Sequence, residues 1–393
     1  MTIPNTHSLS TEDCNVKVPL IKPDLPALDD IRGPLEEILG NGRITNFGRF
    51  MQEFERECSA YLGGVHAVAL SSGTAGLVFS LFGLGVKPGD KVILPSFTFM
   101  ATAQAILLTG AEPLFAEIDE DLCVSPDDVA ALLDQHPDAG AVFGVHMYGL
   151  PAKVDRLRQV VDEAGRRRGR KIPLLFDAAH AFGAETEGRR VGGFGDAEIF
   201  SLSVTKVMVT VEGGLVTTHD ADLADRIRKM RNYGVLSNYN AHFPGMNGKM
   251  SEFHAIVGLH NVRRVESLMA TRQEKARAYR DRIHGSTSFR VTAWPEGVVH
   301  TFKDFTVKMN CAAGCYQRDE IIRFLAERGV ETRAYFFPPV HEQEYFRRFA
   351  TRRLPKTECL SRQVLTLPFY TSMTIEEMDY VTEMLRAAEK EIL

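Results

Sequence analysis

Residues Ile199 to Gly214 read IFSLSVTKVMVTVEGG. The pattern predicts a short strand ending in hydroxyls at Ser201 and Ser203, then Lys206, then a second strand ending in the pair Gly213–Gly214. A lysine between apolar, strand-like residues is set apart from the ordinary surface lysine. It is the candidate nucleophile around which the other polar groups can be judged.

Upstream, short apolar runs alternate with helical patterns. HAVALSSG predicts a buried strand running into two serines and a glycine, and TAGLVFSLFGLGV predicts a buried helix starting at Ser72–Thr74. KVILPSFTFMATAQAILLTG repeats the motif, with Pro95 closing the strand and Phe97 and Phe99 at its carboxyl end. AEPLFAEID, AVFGVHMYG and KIPLLFDAAH are further strands, the last ending at Asp177. Helices are expected from Pro126 and from Pro151. This alternation specifies a mostly parallel α/β sheet flanked by helices, with right-handed crossovers. Ligands of such sheets bind beyond the carboxyl ends of the strands.

Downstream, Asp220 can cap a helix, and a long polar segment runs from Asn232 to Met250. From Ser251 one helical pattern extends towards Ile283, the length of a connection between domains. The remainder reads as a smaller α+β unit. FRVTAW, HTFKDFTVKMN and ETRAYFFPP are its strands, and Thr374 with Glu377 makes a capping box for its last helix. The expected organisation is an arm over 1–30, a large domain over 31–265 and a small C-terminal domain over 266–393. A chain of 393 residues suits two packed units, because single cores stop growing at roughly 250–300 residues.

A net charge of -5 gives no bulk attraction for nucleic acid, and no basic helix–turn–helix pattern is present. The basic run Arg166 to Lys171 reads as a solvated loop. The six cysteines are scattered; Cys311 and Cys315 lie close, but no second pair completes a zinc site, so no metal is expected. Six free thiols, no secretory signal and no membrane-length apolar run point to a cytoplasmic protein without a membrane partner.

The polar groups at the predicted strand ends form one inventory. Ser72, Gly73 and Thr74 offer N–H groups and hydroxyls at a helix start, equally the signature of a plain capped turn. Phe99 offers a flat face, Asp177 a carboxylate, His180 an imidazole, Ser201 a hydroxyl and Lys206 an amine. Taken singly, Asp177 is better read as a cap and Phe99 as core. Together they are what pyridoxal 5′-phosphate requires. Its aldehyde needs an amine, its ring nitrogen a carboxylate, its phosphate donors, and its face an aromatic partner.

At these residues the chain resembles the DegT–DnrJ–StrS family of pyridoxal-phosphate-dependent sugar aminotransferases, of aspartate-aminotransferase fold (fold type I). The motifs that carry the resemblance run from ITNFG at 44–48 almost to the C-terminus. They include SSGTAGL at 71–77, PSFTFMATA at 95–103, VHMYGLP at 145–151, FDAAHAFGA at 176–184, GDAEIFSLSVTK at 195–206, EGG at 212–214, GMNGKMSE at 245–252 and TRAYFFPPVHE at 332–342. The resemblance implies that Lys206 holds the cofactor and shuttles protons, and that Asp177 pairs with the ring nitrogen. His180 would bond the ring hydroxyl, Phe99 and Ala179 would pack on the two ring faces, and Gly73, Thr74 and Ser201 would bind phosphate. It further implies a homodimer with shared sites, Asn247 of each subunit reaching the neighbour's phosphate. Thr45, Phe47, Ser203 and His341 are the residues it suggests for substrate contacts.

Ser203 departs from the family pattern, which carries a His there. The implied activity is transfer of an amino group from L-glutamate or L-glutamine to a keto group of a nucleotide-linked sugar. The retained Lys206 argues against the family's dehydrating branch, which has His in its place. The lost imidazole keeps open aldol-type, decarboxylative or oxidative chemistry with the same cofactor on an amino-acid-derived substrate. A cofactor-binding regulator is the non-enzymatic alternative.

Overall fold

The computed structural model describes residues 16–236, 239–310 and 317–393. Helices α1 (Leu28–Asn41) and α2 (Arg49–Tyr61) lead into β1 (His66–Leu70) and α3 (Gly73–Gly83). Then follow β2 (Lys91–Pro95), α4 (Ala101–Leu108), β3 (Glu112–Ala116), α5 (Pro126–Gln135), β4 (Ala139–Val145), α6 (Val154–Arg168) and β5 (Leu174–Asp177). A small hairpin, β6 (Glu185–Thr186) and β7 (Arg189–Arg190), precedes β8 (Ala197–Ser201), β9 (Gly214–Thr218) and α7 (Ala221–Met230).

The main sheet has seven strands in the order β1-β9-β8-β5-β4-β2-β3. All its strands share one direction except β9, which runs against both neighbours. Both faces are covered. Apolar clusters around Phe79, Leu94 and Phe143 and around Phe97, Phe176 and Leu157 are fully buried. The strands therefore read as continuous hydrophobic runs, as parallel strands buried on both faces must.

The second half begins with α8 (Glu252–Val262) and α9 (Val265–Ile283). A three-stranded antiparallel sheet of β10 (Phe289–Val291), β11 (Phe305–Met309) and β12 (Val364–Leu367) carries α10 (Arg318–Glu327), α11 (Pro355–Gln363) and α12 (Ile375–Ile392). Its own core centres on Tyr279, Phe305, Phe369 and Tyr370. Thr374 caps α12: its Oγ1 accepts the Glu377 N–H at 3.1 Å, and Glu377 accepts the Thr374 N–H at 2.8 Å.

Several expectations need correction. Residues Val207–Val211 are not a strand: the Leu202 carbonyl accepts the Thr210 N–H at 2.8 Å, so the chain folds back on itself, and Gly214 starts β9 rather than ending a strand. The helix after Pro151 starts three residues later, at Val154. The single helix from Ser251 is two, broken at Arg263–Arg264. ETRAYFFPP is irregular apart from one bridge, Arg333 to Thr366, and the third strand is Val364–Leu367 instead. The basic run is a helix end whose side chains serve neighbouring carbonyls. Arg168 donates to the Leu133, His136 and Ala139 carbonyls and Arg170 to that of Ala139, while Lys171 pairs with Asp196 at 2.6 Å. Cys58, Cys123 and Cys359 are free thiols; Cys14, Cys311 and Cys315 lie outside the described residues.

Candidate active site

Beyond the carboxyl ends of the main-sheet strands lies a cavity of about 400 Å³. Its floor is set by a close backbone approach. A side chain on Gly73 would lie 3.1 Å from the Ser201 Cα, and one on Gly214 only 2.3 Å from the Ser72 carbonyl carbon. Glycine at both positions lets the start of α3 meet the end of β8. Ser72 Oγ accepts the Ala75 N–H at 3.1 Å, capping α3. The remaining N–H groups of the first turn point outward with the positive end of the helix dipole, an anion cradle. Ser201 Oγ, 3.5 Å from Ser203 Oγ, joins it from β8.

Asp177 ends β5 and is buried. Its Oδ2 accepts the Thr102 hydroxyl at 2.7 Å and its Oδ1 the Ala179 N–H at 3.0 Å. Burial pushes this carboxyl up, while the Thr102 and Ala179 bonds and the Lys206 charge pull it down. The net direction is upward, as for a carboxylate awaiting a cationic partner. Lys206 sits on the turn after β8, its N–H bonded to the Ser203 carbonyl at 2.9 Å. Burial first, then the nearby Lys303 charge, lower its ammonium to about 8, against Asp304, Asp177 and Glu212. An amine so placed has a far larger neutral, nucleophilic fraction near physiological pH than an ordinary lysine has.

Two buried histidines close adjacent strand ends, and both line the cavity with one ring nitrogen unpartnered. His146 follows β4; its Nδ1 accepts the Ala152 N–H at 3.0 Å, and its ring stacks on Phe176. Its Nε2 faces Glu198 at 3.9 Å, and burial drives the pair apart, the imidazole down to about 3 and the carboxyl up to about 7. His180 leaves Nδ1 unpartnered in a buried position, its ring stacked on Phe336 at 6.1 Å. Burial, and then the Lys206 charge, keep it neutral, so one ring nitrogen is available to a ligand. Phe99 remains 51% exposed at the mouth, with the Phe336 ring tilted against it at 6.1 Å.

Gly73, Thr74, Phe99, Asp177 and Ala179 therefore converge with His180, Ser201, Ser203 and Lys206 on one cavity. The others do not join them. Thr45 is exposed, and Phe47 lies under the Arg231 guanidinium at 4.8 Å. Asn247 is exposed and bridges to Asn232. His341, proposed for substrate contact, is buried beneath the site. Its Nδ1 lies 2.6 Å from Ser96 Oγ and its Nε2 3.7 Å from Glu358. With Glu342 and Glu358 it forms the grouping among the described residues whose ligating atoms approach within 4.8 Å, away from the cavity. Arg362 and Arg353 already neutralise those two carboxylates.

Sequence reasoning missed the part of the cavity wall formed by Lys303, just before β11, with Tyr335 and Phe336, and Asp304 behind Lys303. Lys303 Nζ lies 2.7 Å from Asp304 Oδ1, both side chains buried. The available signal was a Lys–Asp pair between two phenylalanines in HTFKDF, since charges set in an apolar strand are rarely buried unless paired.

The residues fit pyridoxal phosphate on their own geometry: a buried amine, a buried carboxylate, an unpartnered imidazole nitrogen, a half-exposed aromatic ring and a helix start kept open by two glycines. Comparison with known proteins agrees. Residues 28–386 match the model of the DegT/DnrJ/EryC1/StrS aminotransferase family. The crystal structure of DesI in the presence of its TDP-sugar product is 35% identical, with a TM-score of 0.88 over 96% of this chain and 94% of that one. S. venezuelae DesV in complex with a ketimine intermediate is 31% identical, with a TM-score of 0.86 over 96% and 99%. The putative sugar aminotransferase Spr1654 from Streptococcus pneumoniae, at 24% identity and a TM-score of 0.89, shares the fold. This chain belongs to the DegT/DnrJ/EryC1/StrS aminotransferase family and is a transferase of amino groups.

Proposed function

We propose that this aminotransferase uses pyridoxal 5′-phosphate to move an amino group from L-glutamate or L-glutamine to a keto group of a nucleotide-linked sugar. The observation that carries the reading is the pairing, in one cavity, of an amine lowered to about 8 with a buried carboxylate. The sugar acceptor rests on family membership and on the TDP-sugar product with which DesI was crystallised.

Gly73, Thr74 and Ser201 would hold the phosphate, Asp177 the ring nitrogen, His180 the ring hydroxyl, and Phe99 and Ala179 the two ring faces. When bound, the cofactor supplies an aldehyde that receives the amino group and a ring that takes up the electrons left on the substrate carbon. Lys206 Nζ, neutral once released, accepts the proton leaving the donor's α-carbon and holds it for return. The Thr102 and Ala179 hydrogen bonds fix Asp177 in orientation, so its charge meets the ring nitrogen without reorganisation. Ser203 supplies a short hydroxyl where the family carries an imidazole, leaving more room beside Ser201.

A second copy would complete the site. Phe99, Met100, Val204 and Val211 are exposed apolar side chains on the cavity segments, and Asn247 is exposed and does not line its own cavity. In the proposed homodimer each Asn247 reaches the neighbour's phosphate.

The test is the first half-reaction. Purified, cofactor-loaded enzyme mixed with L-glutamate or L-glutamine should lose the aldehyde-form absorbance and gain that of the amine form. Absence of the change with every common amino donor would leave the aldol-type, decarboxylative or oxidative alternative standing.

A further inference from the structure

The buried pair Lys303 and Asp304 is not among the residues assigned above to the cofactor, and its construction is unusual. Lys303 is 8% exposed and Asp304 5% exposed. The ammonium has one hydrogen-bonded acceptor among the described residues, Asp304 Oδ1 at 2.7 Å, and lies 5.5 Å from the Tyr335 ring centre. An ammonium carries three donors, so two remain for something in the cavity. Salt bridges this deep are costly to desolvate and persist where a function retains them.

The backbone that presents Lys303 is tightly fixed. Phe302 adopts φ 48°, a left-handed conformation disfavoured for a bulky residue. Arg272 holds it there, donating to the Thr301 carbonyl at 2.9 Å and to the Phe302 carbonyl; the Phe302 N–H donates to His300 Nδ1 at 2.8 Å. The Lys303 N–H donates to the Tyr148 carbonyl at 3.0 Å, and the Thr301 hydroxyl to the His180 carbonyl at 2.5 Å. Strained residues over-determined by their surroundings cluster at ligand clamps. This one precedes Lys303, which lines the same cavity as Lys206.

Resting on the functional reading above, we infer that Lys303 is the receptor for the α-carboxylate of the amino donor, with Asp304 orienting its ammonium. The class of ligand follows from bonding. A donor's carboxylate is attached to the very carbon that bears the nitrogen, so its receptor must stand beside the reacting amine. In a nucleotide-linked sugar the ring separates the diphosphate from the keto carbon, which puts that anion farther off. Lys303 meets the first requirement: it is the largest charge acting on the Lys206 ammonium and shares its cavity. Charge-assisted contact with a carboxylate in a dry cavity is the stronger kind of hydrogen bond.

The experiment uses the cofactor-loaded enzyme and the double variant Lys303→Gln/Asp304→Asn, which removes both charges and leaves no buried carboxylate unpaired. Two quantities are measured: half-saturation by L-glutamate in the first half-reaction, and binding of glutarate, a non-reacting dicarboxylate, by the absorbance change of the bound cofactor. Both should weaken by at least about tenfold, with the keto-acceptor half-saturation changed by less than about threefold. Lys303→Arg, which keeps the charge, should hold glutarate within about threefold of wild type. Unchanged glutarate binding and glutamate half-saturation in the double variant would overturn the inference. So would a loss confined to the acceptor, which would assign Lys303 to the sugar's anion. Wild-type enzyme that converts no donor yet binds glutarate through Lys303 would instead break the aminotransferase chemistry.

Discussion

The seven-stranded and three-stranded sheets both reach the cavity, by different means. The large sheet contributes through strand ends: Ser72–Thr74 after β1, Phe99 after β2, Asp177 at the end of β5, Ser201 at the end of β8. Each lies where a regular element stops, and each is oriented by a short-range device such as a cap, a turn or a neighbouring N–H. The small sheet contributes through irregular chain, residues 300–304 before β11 and 335–336, aimed by long-range contacts from Arg272 and Tyr148. The difference corresponds to a division of labour. In the proposed reading the cofactor chemistry sits on rigid strand ends, and donor recognition on chain whose course is free to differ.

The strongest way to break the comparison is Lys206→Ala. If the large sheet holds the reacting group, amino transfer should fall by at least about 10³-fold, read as a single-turnover rate, while circular dichroism is unchanged. Retention of most of the activity would move the chemistry to Lys303 and reverse the roles of the two sheets.

A smaller effect sharpens the coupling between the sheets. Burial and the Lys303 charge place the Lys206 ammonium at about 8. Its neutral, reactive form grows as pH rises through that value. Capture of free pyridoxal by the cofactor-free enzyme should therefore rise about tenfold per pH unit below 8 and level off above it. Removing the Lys303 charge should move the midpoint upward, because one cation no longer opposes another. A midpoint that stays in place would show that burial alone lowers it.

The smallest effect isolates the small unit. Thr374→Ala removes the α12 capping box and should lower stability by about 1 kcal/mol in a denaturant titration. The amino-transfer rate under folding conditions should not change. A parallel loss of rate would mean that the small unit's stability and the cavity geometry are linked.

Particular residues show how much was legible. Asp177, Lys206 and the Ser72–Thr74 helix start could be placed because alternating strand and helix periods locate strand ends, and parallel sheets bind ligands there. Asp220 and Thr374 as caps were legible because capping is settled within four residues. Val207–Val211 was misread because an apolar, β-branched run satisfies strand periodicity even when the Thr210 N–H bonds back to the Leu202 carbonyl. His341 was misplaced because a motif next to a binding site does not tell which of its side chains turn inward. This one is taken by Ser96.

The sequence by itself determined the α/β alternation, the family and the strand-end residues that gather at the cavity, because each depends on local periodicity or on a short motif. Only the tertiary structure decided that Lys303 shares a cavity with Lys206, that His146 and His180 both line it with one ring nitrogen unpartnered, and that Asn247 does not line its own cavity. Those outcomes depend on contacts between segments more than a hundred residues apart, such as Thr301 with His180 at a separation of 121. No periodicity within either segment records which partner the other will be.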